Sequence, residues 1–192
     1  MKRFLYGLAL GLALAACTGV PLRSLPRLMQ LPKELLDANP AELMVALQVD
    51  ARMTPPAGAV PLLSIKLAPR EPGRFEVIDK QLPMQVSVAT SSTLGLDAPG
   101  AGRRWLLYSL PPATQLELAR IQGVMQRARA ESQGKGGGTL SVGVAQDSLA
   151  VTDPVLAHTR WETWLQTKRR DGFFEVWSGT PAQLKKSAAA KP

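Results

Sequence analysis

Apolar residues recur with a period of two along much of this chain, and that spacing constrains the fold more than any other feature. Leu43, Val45, Leu47 and Val49 alternate with Met44, Ala46 and Gln48. Leu63, Ile65 and Leu67 do the same, as do Leu82, Met84, Val86 and Val88, and later Leu140, Val142 and Val144. Successive side chains of a strand point to opposite faces, so each stretch reads as a strand with one face turned to a core. Phe75 and Val77 suggest a further short strand, and Trp105–Leu110 one that is apolar on both faces. Trp161–Thr167 and Phe173–Trp177 form a closing hairpin around Lys168–Gly172, where Asp171-Gly172 is a favourable turn pair. Arg70-Glu71-Pro72-Gly73 and Pro55-Pro56-Ala57-Gly58 are predicted turns. Pro83 marks an edge strand or a strand entrance.

One segment breaks the period. Leu118, Ile121, Met125 and Ala128 recur at helical spacing, predicting an amphipathic helix near 114–133 that buries one side against the sheet. Thr114 and Glu117 have the spacing of a capping box, and Gly134 is the expected stop. Several alternating strands, a late helix and more strands spell an α+β fold. It is mostly antiparallel, with about seven to eight strands. Sixteen of the 192 residues are proline, about 8% against a usual ~5%, which fits short elements joined by tight connections.

The amino-terminal end has a different character. Lys2 and Arg3 precede an uncharged apolar run, Phe4–Leu14, which has the length of an export signal and is short of the ~20 residues that span a bilayer. Leu14-Ala15-Ala16-Cys17 follows directly, and Cys17 is the only cysteine. These residues resemble the signal and lipobox of bacterial lipoproteins. The resemblance covers residues 1–18 and implies cleavage before Cys17, acyl chains on that residue and attachment to a membrane. Thr18, where Asp would favour inner-membrane retention, implies the periplasmic leaflet of the outer membrane. With Cys17 carrying lipid, no intrachain disulfide is possible, and the core must hold the fold unaided.

The expected organisation is a signal peptide at 1–16, a lipidated amino terminus and apolar leader at 17–42, an α+β domain at 43–179 and a disordered basic tail at 180–192. In the leader, Pro21, Pro26 and Pro32 interrupt an apolar sequence. It is expected to lie against the domain or to form one short helix near Pro32–Asp37, with Asn39-Pro40 as a stop or a new cap.

Chemistry is sparsely marked. The net charge is +8. In an exported protein this favours anionic lipid, lipopolysaccharide, peptidoglycan or an envelope protein as partner over nucleic acid. His158 is the only histidine, and no serine lies in a Gly-x-Ser-x-Gly elbow. No metal-ligand spacing occurs, and Gly134–Gly138 lacks the residues of a phosphate loop. Neither a metal nor a cofactor is expected. Glu76, Glu162, Glu175, Asp147 and Asp171 are available for paired-carboxylate hydrolysis, but nothing singles out two of them.

The closing hairpin is the most suggestive region: Trp161, Trp164, Phe173, Phe174 and Trp177 occur beside Lys168, Arg169 and Arg170. Either these rings fill the core while the basic residues solubilise a turn, or they form a binding surface. Alternation places Phe173 and Trp177 on one face, and Phe174 and Val176 on the other. The sequence therefore favours a non-catalytic lipoprotein that binds or scaffolds an envelope component. A membrane-tethered hydrolase of peptidoglycan or lipid is the alternative.

Overall fold

In the computed structural model, residues 19–69, 75–89, 93–131, 138–149 and 153–189 are described, with residue 131 and residues 187–189 as backbone only. Cys17, the lipobox and the turn at 70–73 lie outside them. The fold is α+β, with eight strands in two antiparallel sheets. The strands are β1 (Met44–Asp50), β2 (Leu62–Pro69), β3 (Ile78–Pro83), β4 (Gln85–Ser87), β5 (Arg103–Ser109), β6 (Gly138–Ala145), β7 (Trp161–Gln166) and β8 (Phe174–Gly179). One sheet has the order β4-β5-β1-β7-β8 and the other β3-β2-β6. The helices are α1 (Leu25–Asp37), α2 (Pro112–Glu131) and α3 (Pro181–Ala189).

The alternating patterns become strands with the faces they require. In β2, Leu63, Ile65 and Leu67 are buried while Lys66 is exposed. β1, the central strand of the larger sheet, is buried on both faces because an apolar cluster packs on each. Its Val45, Leu47 and Val49 face the main core, and its Met44 and Ala46 join a second, smaller cluster on the opposite face.

The stretch around Phe75–Val88 departs from the sequence reading. Val77 is exposed outside any strand, and the third strand begins at Ile78. The predicted fourth strand is cut at Met84. Pro83 ends β3 opposite Leu62 in the small sheet, while Gln85 begins β4 opposite Ser109 in the large one. The chain therefore passes from one sheet to the other through the single buried residue Met84, a sheet-switching corner. Pro83 lies on an edge strand, where its missing N–H costs no ladder bond.

α2 packs Leu118, Ile121 and Met125 into the main core. The capping box does not form. The helix starts at Pro112, where proline's fixed φ suits a first turn. The Thr114 hydroxyl donates to the Pro83 carbonyl at 3.1 Å, and Glu117 pairs with Arg120 at 2.9 Å.

The leader is more ordered than expected. α1 runs from Leu25 through Pro32 to Asp37, twice the predicted length. Pro32 removes one helical hydrogen bond, but Leu31 and Leu35 are buried in the core, with Leu28 and Leu36 packed against it, and that burial outweighs the loss. Asn39 then caps a short 3-10 turn, accepting from the Ala41 amide at 3.1 Å. The tail is also corrected: residues 181–189 form α3, tied to the body by the Ala182 amide donating to the Ala157 carbonyl.

Candidate functional site

The aromatic and basic residues of the closing hairpin do not assemble into one surface. Trp161 is only 1% exposed and sits in the main core. Phe173 is buried on the opposite face of the sheet with Met44, Ala46 and Leu107. Trp164 is half-buried on that same face, edge-on to Trp105 with ring centroids 6.0 Å apart.

Trp177 is on the other side from the one that alternation assigns. Thr163 pairs with Trp177 but Trp164 pairs with Glu175, so Val176 is an extra residue in β8. That bulge turns Trp177 to the core face, with Phe174. Gly19, with φ of +111°, lies so close that a Cβ there would stand 2.5 Å from the Trp177 indole nitrogen. Lys168, Arg169 and Arg170 are at the hairpin tip, which faces Asp37, Asn39, Glu42 and Leu94. The Arg169 amide donates to the Glu42 carboxylate at 2.9 Å.

The leader occupies the ground next to this hairpin. The Ser178 amide of β8 donates to the Gly19 carbonyl at 2.6 Å. Arg23 donates to the Glu175 carboxylate at 2.6 Å and stands 5.8 Å over the Trp164 ring. Arg27 stacks 4.2 Å over Phe174, and the Thr167 hydroxyl donates to Glu34 at 3.0 Å. The leader thus runs along the outermost strand of the large sheet from one end to the other. It covers an edge that would otherwise present unpaired backbone groups.

Beneath α1 lies a cavity of about 310 Å³ between the leader, α2 and the small sheet. Leu36, Leu67, Phe75, Met125 and Leu140 give it apolar walls, and Lys33 and Arg129 add positive charge. Gly138 is required beside it, because a Cβ there would lie 2.7 Å from both the Phe75 ring and the Ala68 carbonyl. Its size is at the lower end of small-ligand pockets, and its lining is mostly apolar. No sequence signal marks it, because its walls come from five separate segments of the chain.

Three of the acids named as hydrolytic candidates are held by arginines. Glu162 is held by Arg103 at 3.0 Å and by Arg160 at 2.9 Å, Glu175 by Arg23, and Asp171 lies 3.5 Å from Arg170. Glu76 and Asp147 are exposed elsewhere, and His158 is exposed in the loop before β7. Among the described residues no group of three or more His, Cys, Asp or Glu is placed to hold a metal, and no helix is long and apolar enough to cross a membrane. Comparison with protein-family models, with curated proteins and with solved structures finds no match to this chain.

Proposed function

We propose that the protein is a lipid-anchored lipoprotein of the outer membrane, facing the periplasm. Its domain binds or scaffolds an envelope component without catalysing a reaction. The reading begins with Leu14-Ala15-Ala16-Cys17 and the export-type segment before it. The observation that supports it most is where that motif meets the fold. Cys17 is two residues from Gly19, whose carbonyl already accepts from β8. Acyl chains on Cys17 would therefore be joined to the domain with almost no tether. Several acyl chains, each contributing about 0.8 kcal/mol per buried methylene, hold a protein to a membrane far more firmly than one does. The apolar-walled cavity under α1, with Lys33 in its lining, gives the domain a place for an amphipathic ligand.

The test is intact mass and membrane fractionation of the wild type beside Cys17→Ala. Wild type should carry acyl mass on a chain starting at Cys17 and sediment with outer membranes, and the variant should lose both. An unacylated wild type in the soluble fraction would overturn the reading.

A further inference from the structure

The outward side of the leader is graded along its length. Leu22 is 80% exposed, Leu25 43% and Met29 83%. With Pro26 they recur at spacings of three, one and three, so they share one side of the leader, while Leu28, Leu31 and Leu35 turn inward. Further along, the exposed positions become Lys33 and Asp37. Charge follows the same gradient. From Gly19 to Leu31 the only charged residues are Arg23 and Arg27, and the acids of α1, Glu34 and Asp37, fall at its far end. Exposed leucine and methionine side chains on a helix are costly in water, and their grouping marks an interaction surface.

We infer that this face, Leu22, Leu25, Pro26 and Met29 with Arg23 and Arg27 beside it, seats the domain on an anionic phospholipid surface. The inference rests on the lipid-anchor reading. Two features select a bilayer over a protein as the occupant. First, the apolar end of the face is the end next to Cys17. Two residues span at most about 7 Å, so acyl chains rooted at Cys17 bring Gly19 to the headgroup region, and Leu22 lies three residues further on. Secondly, the charged residues of the leader beside these apolar side chains are both basic, Arg23 paired with Glu175 and Arg27 stacked on Phe174. An apolar side bordered by basic residues is the arrangement of helices that lie in a membrane interface with their apolar side buried about 5–10 Å. From Leu25 to Met29 the helix rises only about 6 Å, and Leu22 lies on the 3-10 turn just before it, so one shallow seat accommodates the whole apolar stretch.

The seat fixes orientation. The leader cannot act as a swinging tether, because Gly19, Arg23, Arg27 and Glu34 are each held to the last two strands or the turn between them. The domain then stands on the membrane by its β8 edge.

The acylated full chain, purified from membranes, carries Met29→Cys labelled with an environment-sensitive fluorophore. Cys17, as a thioether, takes no label. Leu116→Cys on α2, an equally exposed apolar position at 74%, is the reference. The proteins are placed in vesicles of phosphatidylethanolamine and phosphatidylglycerol with brominated acyl chains, and intact mass is recorded for each. The label at 29 should be quenched and blue-shifted, and the label at 116 should match that in water. Replacing phosphatidylglycerol by phosphatidylcholine should weaken the quenching at 29. An acylated protein whose two labels are equally water-exposed overturns the seat and leaves the anchor standing. Quenching at 29 that is indifferent to lipid charge overturns the choice of an anionic surface. Absence of acyl mass removes the anchor reading, and the seat with it.

Discussion

The side-chain amide of Gln122 donates to the Leu35 carbonyl at 2.6 Å and, from the same nitrogen, to the Ala38 carbonyl at 2.9 Å. Gln122 is buried on the inner side of α2, and the two carbonyls belong to the last turn of α1 and the residue that follows it. Helix ends leave their final carbonyls without backbone partners, and in a buried setting each needs a donor. Gln122 supplies one where solvent is excluded, and Gln126 adds a bond to the Leu36 carbonyl at 3.0 Å. Gln122→Leu should keep the volume and lose the donor, lowering unfolding free energy by about 1–3 kcal/mol. Urea denaturation measures it, and an unchanged midpoint would show that the clamp contributes nothing.

Arg23 and Glu175 should show a clear coupling. The Glu175 side chain is 6% exposed and the Arg23 side chain 71%, so the carboxylate is the member that suffers when the pair is broken. Its second oxygen has no partner among the described residues. Arg23→Ala should destabilise by about 1–3 kcal/mol, because a buried charge loses its counter-ion while the departing arginine was already in water. Glu175→Gln placed in the Arg23→Ala background should recover part of that loss. A double-mutant cycle with strictly additive midpoints would refute the coupling.

Asp50 should titrate well below other carboxylates. Arg52 donates to it from Nε at 2.9 Å, from Nη2 at 2.8 Å and from the backbone amide at 2.9 Å. The arginine side-chain bonds, then the amide, hold its pKa at about 2 against an ordinary 3.8. A folded-state pKa below the unfolded one contributes stability that is present above the ordinary carboxylate value and lost as pH falls through about 2. The partners are two residues apart, so much of the contact is local and can persist in the unfolded chain, which keeps the pH dependence of stability small. Carboxyl NMR titration should place Asp50 near 2 and, in Arg52→Ala, return it towards 3.8. A wild-type value already near 3.8 would contradict the geometry.

Of the candidate surfaces, the sequence exposed the apolar character of the leader but not which of its side chains face solvent. Composition shows leucines too numerous for a free tether, and only contacts with β8 and α2 show which leucines turn inward and which remain in solvent. The aromatic hairpin was legible as a hairpin, and the choice between core and surface that the sequence leaves open falls to the core for Trp161 and Phe173. One inserted residue, Val176, transfers Trp177 to the opposite face, and insertions of that kind leave no trace in period-two spacing.

What the sequence alone determined is local. Alternation set β1, β2 and β6, helical spacing set the buried stripe of α2, and Asn39 and Pro83 were readable because capping and a missing N–H act over a few residues. Tertiary structure decided the rest. It split one apparent strand between two sheets at Met84, because both sheets shed an edge there and the residue between them could be buried. It drew Thr114 away from its helix cap to the Pro83 carbonyl, and it carried α1 through Pro32 because Leu31 and Leu35 found a core to enter. In each case the free energy of burying side chains against residues distant in the chain exceeded the modest local preference that sequence spacing expresses.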